Sequence, residues 1–130
     1  MSPGLALVFW SLVLFEVKHF ICDFVVQTRY QYMNKGIYGH PGGIIHSAAH
    51  AAASIPAILV LQNTPSRVAA IALVEFLVHY HVDWSKEQIT KRGGLTYSDA
   101  LYWSLFGADQ FLHQMTYVVI LAVLARWANL

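Results

Sequence analysis

The chain has 130 residues, 57% of them hydrophobic and 12% charged, with a formal net charge of +1. Soluble domains of this size carry about 25% charged residues, so the depletion, with a mean hydropathy of +0.48, excludes an ordinary water-soluble domain and indicates an integral membrane protein. The near-neutral balance leaves no basic face for nucleic acid. The single cysteine, Cys22, rules out an internal disulfide and a thiolate metal cluster.

Four apolar segments are long enough to cross a hydrocarbon core of roughly 30 Å. They predict an all-α, polytopic four-helix bundle in a single transmembrane domain, residues 1–130. The first segment runs over about 3–27, with Pro3 suited to a first helical turn. It lacks a basic leader and a small-residue cleavage site, and so reads as a spanning helix and not as a removed signal peptide. A loop follows, RYQYMNKGIYGHPGG, whose glycines and His40-Pro41 forbid a continuous helix. The second segment, about 43–62, contains Pro56 and is expected to kink there. Asn63-Thr64-Pro65-Ser66 is a tight turn into the third, about 65–88. After the turn KRGGLTYSD, with Ser98 or Thr96 as N-cap, the fourth runs over about 99–128. Tyr97, Tyr102 and Trp103 suit its interfacial start.

An even number of spans puts both termini on one side. Arg29, Lys35, Lys86, Lys91 and Arg92 outnumber Arg67 and Arg126 at the opposite ends. By the positive-inside rule, the termini face away from the cytoplasm.

Each segment also carries His or carboxylate residues four apart, which project side by side on a helix. The first has Glu16, His19, Asp23 and Gln27, and the second His46 and His50. The third has Glu75, His79, Asp83 and Lys86, and the fourth Asp109 and His113. At about 1.5 Å per residue, His19, His50, His79 and His113 all fall roughly 18–22 Å from the outer surface. The order Glu16, His19, Asp23 echoes Glu75, His79, Asp83. Two hairpins related by a pseudo-twofold along the membrane normal would produce such an echo.

Ionisable groups in an apolar helix are costly unless they face a partner, water or a metal. Facing helices that each donate His and carboxylate groups are the pattern of dinuclear carboxylate sites in bundles. The expected ligands are His19, Asp23, His46, His50, His79, Asp83, Asp109 and His113, around one or two divalent ions. Imidazole with carboxylate suits zinc, iron or manganese. The bland alternative is a hydrogen-bonded polar core or a proton path. Gln27 and Gln110 are candidate supporting groups, while His81 lies about 200° around its helix from His79. His40 reads as a loop residue and Cys22 as packing.

The run His19-Phe20-x2-Asp23-Phe24-x2-Gln27, the pair His46/His50, the set Glu75, His79, Asp83, Lys86 and the run Asp109-Gln110-x2-His113 resemble a small bacterial inner-membrane family catalogued only as a domain of unknown function. The resemblance implies a four-helix integral membrane protein of the bacterial cytoplasmic membrane. A looser likeness is to membrane-bound metal-dependent hydrolase-like proteins, whose Asp-His and His-Arg runs are absent here.

The leading functional expectation is a metal-dependent hydrolase acting on a lipid-like or amphiphilic substrate at the cytoplasmic interface. Glu75 or Glu16 would be the general base, and Lys86 would steady an anionic headgroup. The alternatives are a metal or proton transporter or sensor, and a non-catalytic subunit of a larger membrane complex. A homo-oligomer is compatible with each.

Overall fold

The computed structural model describes all 130 residues and is wholly helical, without strands. The first helix, α1 (Pro3–Phe20), passes without a break into a π-helical turn, Ile21–Val25. A short helix α2 (Arg29–Asn34) follows, then α3 (Pro41–Ala53), α4 (Ile55–Leu59), α5 (Pro65–Arg92) and α6 (Ala100–Trp127).

Helix starts follow local chemistry. The Ser2 hydroxyl accepts from the Leu5 amide at 3.3 Å and the Thr64 hydroxyl from the Arg67 amide at 3.4 Å, each with a proline beginning the first turn. Pro3, Pro41 and Pro65 need no amide partner there. The α2 helix is absent from the sequence expectation for this loop. Its signal is Thr28-x2-Gln31, a reciprocal capping box seen in both directions; the glycines of the loop come only after it. The expected N-cap of the last helix shifts from Ser98 or Thr96 to Asp99, whose Oδ2 instead accepts from the Thr96 amide at 2.7 Å. That bond holds the Asp99 carboxyl below the usual aspartate range. At the other end of α5, Gly94 adopts φ +59, and the Leu95 amide closes back on the Thr90 carbonyl at 3.0 Å. This is a glycine-terminated Schellman stop, which a Cβ would strain.

The second apolar segment bends where Pro56 was expected to bend it. α3 ends at Ala53 and α4 resumes at Ile55, because a proline in the second position of a turn donates no amide and crowds the turn before it. Near this bend the Ser11 hydroxyl donates to the Ala57 carbonyl at 2.7 Å and ties α1 to α4. The two halves of the chain therefore share a polar pattern on differently built helices: the first half is interrupted by the π turn and the bend, the second is two unbroken rods.

The interior is more polar, and the surface more apolar, than in a soluble domain. Buried positions are as often polar as apolar, and include Lys18, His19, Lys35, Glu75, Asp83 and Asp109. Leu5, Trp10, Phe20, Leu73, Leu101 and Phe111 are all more than half exposed. A surface of that kind suits lipid and not water. Three helical stretches, Pro3–Val25, Pro41–Leu59 and Ala100–Trp127, are long and apolar enough to cross a membrane. The remaining long helix, α5, carries most of the buried charge.

Two layers are stacked along the bundle. One end holds a hydrophobic core of Phe15, Ile58, Leu61, Ile71, Tyr117 and Leu124 with their neighbours. At this end Gly4 lies against Leu130, and Arg67 stacks over the Trp127 ring at 4.8 Å, so both termini and the turn before α5 are together. At the opposite end Gln88 Nε2 donates to the Gly36 carbonyl at 2.7 Å, joining the first connection to the end of α5. Between that end and the apolar core lies the polar layer.

Candidate metal centre

The eight residues expected to face a common centre lie together in this buried polar layer. His19, His46, His50, His79, Asp83, Asp109 and His113 are each no more than 4% exposed, and the Asp23 side chain is 8% exposed. The imidazoles are packed ring against ring. His50 and His79 have centroids 3.8 Å apart, His79 and His113 4.0 Å, and His46 and His79 5.1 Å. Helix α5 supplies the middle of this stack through His79, with α3 on one side and α6 on the other.

The π turn puts Asp23 at the centre. Its wider loop, closed by the Val26 amide on the Ile21 carbonyl at 2.9 Å, adds a residue to the turn where α1 meets the cluster. Asp23 Oδ1 then lies 3.0 Å from His50 Nε2 and 3.2 Å from His46 Nε2. Its Oδ2 lies 3.4 Å from His19 Nε2 and accepts from Gln110 at 3.3 Å. Across the cluster, Asp83 Oδ2 lies 3.2 Å from His46 Nε2 and 3.5 Å from His79 Nε2. Asp109 Oδ1 is 3.4 Å from His113 Nε2.

Those spacings have a chemical meaning. Bonds of about 2.0–2.1 Å from a metal to nitrogen or oxygen separate adjacent tetrahedral ligand atoms by about 3.3–3.4 Å. The His46 and His79 Nε2 atoms are 3.2 Å apart, close to such an edge. Two groups have ligand atoms near enough together to hold an ion: Asp23, His46, His50 and His79, and again His79, Asp83 and His113. Several single atoms of the same side chains also lack a hydrogen-bond partner. Asp83 Oδ2, Asp109 Oδ1, His79 Nδ1 and His113 Nε2 are buried without one. Buried polar atoms in proteins are rarely left so, and a cation shared among convergent acceptors satisfies several at once.

Around the cluster stand groups that the sequence reading missed or ranked low. Lys18 is buried on α1, donates to Glu75 Oε1, approaches His50 at 3.4 Å and lies 4.4 Å from the Tyr117 ring centroid. Lys35 donates to Asp83 Oδ1 at 3.1 Å. Burial pushes the Lys35 ammonium down, but the Asp83, Asp109 and Asp23 carboxylates outweigh it and hold its pKa above the ordinary lysine value. The Tyr117 hydroxyl is 2.9 Å from His19 Nδ1, and Gln110 Oε1 is 2.9 Å from His19 Nε2. Gln27 Nε2 lies 3.2 Å from the ring nitrogens of His46. The expected supporting roles for Gln27 and Gln110 thus have contacts to match. For Lys18 the available signal was a lone cation inside an apolar helix.

The three candidate catalytic residues separate. Glu75 is buried against Lys18, with Oε2 free of hydrogen bonds. Glu16 is half-buried, on a turn where Phe15 takes the inward position and stacks on Tyr117 at 5.1 Å. Lys86 sits at the edge of an apolar cavity and donates to Glu87 at 2.9 Å. His81 points away from the cluster, near Tyr38, with its Nδ1 2.7 Å from the Leu77 carbonyl. His40 is the N-cap of α3, accepting from the Gly42 amide, and Cys22 is buried beside Asp23.

The architecture and the polar layer together define an all-helical protein with membrane-type helices and a buried His/Asp cluster that could hold a metal ion. The chain belongs to the family described as Protein of unknown function (DUF3307), whose model matches residues 11–130 and so spans every residue of the cluster. No curated protein and no solved structure matches it.

Proposed function

We propose that residues 1–130 form one polytopic membrane domain in which α1, the α3–α4 pair, α5 and α6 each cross the bilayer, and that its core binds one or two divalent ions used for hydrolysis. The substrate on this reading is lipid-like or amphiphilic and is met at the cytoplasmic interface of a bacterial inner membrane. One observation carries the reading: imidazole and carboxylate atoms from all four helical segments converge at 3.0–3.6 Å spacings, with several of them free of hydrogen bonds.

Asp23, His46, His50 and His79 would hold one ion, and Asp83, His113 and Asp109 the other flank. His19 has both ring nitrogens engaged, by Tyr117 and by Gln110, and so orients Asp23. Zinc, iron and manganese match this donor set. A bound divalent ion acidifies water and polarises a scissile group. Glu75 is the better placed of the two candidate bases, since Oε2 is unpartnered and the cluster is one helical turn away. Lys86 stands where a headgroup would lie. The basic residues of the first connection and of the end of α5 support a cytoplasmic location for that end, with both termini outside.

Elemental analysis of the protein purified in mild detergent, paired with hydrolysis of a long-chain 4-nitrophenyl ester, tests the proposal. One or two ions per chain are expected, with hydrolysis lost on chelation. A metal-free preparation, or hydrolysis indifferent to a chelator, rejects it. Topology is tested separately: cysteines placed at His40 and at Gly94 should be labelled from the same side of the membrane, and labelling from opposite sides rejects the four-span arrangement.

A further inference from the structure

Helices α5 and α6 do not close against each other along their whole length. A cavity of about 430 Å³ opens between them, walled by Val78, Val82, Ile89, Leu105 and Leu112. A second, of about 290 Å³, continues from it and shares Val78 and Leu112 before reaching Val119 and Ile120. Thr116 adds no free polar group to this wall, because its hydroxyl donates to the Leu112 carbonyl at 2.9 Å. From Ile89 back to Val74 is fifteen residues of helix, about 22 Å at 1.5 Å per residue. One leaflet of hydrocarbon is about half of a 30 Å core. The furrow is therefore long enough for one acyl chain.

It meets the cluster at one point. Asp109 lines the larger cavity, is 3% exposed, and has an Oδ1 without a hydrogen bond. Lys86 and Ser85 stand at the end of the same cavity that lies toward the close of α5. The other cavities, near Trp127, near Leu130 and beside Tyr38, include none of the cluster residues.

We infer that this seam seats the hydrocarbon chain of the substrate, a single-chain amphiphile that lies in the membrane and presents its hydrolysable linkage at Asp109. This rests on the metal-hydrolase reading above and specifies its substrate class and its direction of approach. The chain enters sideways from the lipid, its tail lies along Val78 and Leu112, and its headgroup lies at Lys86. Ala108, exposed on the furrow wall, is the place where a larger side chain would block it.

The test uses the full chain in lipid nanodiscs containing palmitic acid with a photoreactive diazirine at its tail. Irradiation followed by peptide mass spectrometry should give adducts at Val78, Val82 and Leu112 in several-fold excess over Leu73 and Val118, although those two are more exposed than Val78 and Val82. Ala108→Trp, and the milder Ala108→Leu, should remove that excess with metal content unchanged. Adducts spread evenly over the lipid-facing residues, or an excess that survives both variants, overturn the inference. Metal analysis of the same samples keeps the two readings apart. Bound metal without furrow labelling defeats the seam alone, while furrow labelling in a metal-free protein leaves the chain seat and removes the hydrolase.

Discussion

His79→Ala should strip the protein of most of its metal and lower its melting temperature in detergent, whereas His81→Ala should do neither. The two histidines sit on one helix. His79 is 1% exposed and stacked between His50 and His113, while His81 is on the exterior beside Tyr38. Apolar helix faces gain little from meeting each other in lipid, so close packing and polar contacts must hold this bundle together. An ion that binds only the folded state stabilises it by about 3–4 kcal/mol at 100 to 1,000 times its dissociation constant. A strong chelator should reproduce the loss in the unmodified protein and have little further effect on His79→Ala, which separates lost metal from lost packing. Equal effects of the two substitutions, or a metal-free protein of undiminished stability, would defeat the metal centre.

Lys18→Met should be among the most damaging single changes outside the cluster. Lys18 and Glu75 are paired with side-chain exposures of 7% and 1%, and removing one partner of a buried pair costs about 3–5 kcal/mol because the other is left uncompensated. The double variant Lys18→Met, Glu75→Leu should recover most of that loss, since two apolar groups need no partner. Denaturant unfolding in detergent would read both. A single variant within about 1 kcal/mol of the parent, or a double variant as unstable as the sum of its parts, would show that the pair does not act as a unit.

The cluster was legible in the sequence because three independent regularities agreed: four-residue spacing, matching depth along four apolar segments, and the scarcity of charge elsewhere. His19, His46, His50, His79, Asp83, Asp109 and His113 lie on regular helix, where four-residue spacing alone groups them on one face, whereas Asp23 reaches the cluster from the π turn. Lys18 and Lys35 were not legible in the same way. A lysine reaches its partner through a long flexible stem, so the face of its own Cα says little about where its ammonium ends. Lys18 is about 100° around α1 from His19 yet touches Glu75 and His50. Lys35 comes from a connecting segment whose path periodicity does not describe. Glu16 matches the spacing but is only half-buried, while its neighbour Phe15 is fully buried and stacks on Tyr117. The π turn at Ile21–Val25 has no composition signature at all, and it appears only when the turn is seen to carry Asp23 into the cluster.

The polarity of α5 bears on how the protein is made as well as on what it binds. Glu75, His79 and Asp83 lie within ten residues of one another, and this helix is absent from those apolar enough to cross a membrane by themselves. A central Asp costs about 2.5–3.5 kcal/mol when a helix enters the bilayer singly. On the four-span arrangement proposed above, α5 would reach the membrane before all of its partners exist, since His113 of α6 is still to be translated. Lys18, Lys35, His46 and His50 have already emerged by then. On that arrangement the earlier helices would act as an intramolecular insertion partner for α5, with Lys18 and Lys35 made ahead of Glu75 and Asp83, the acids they meet.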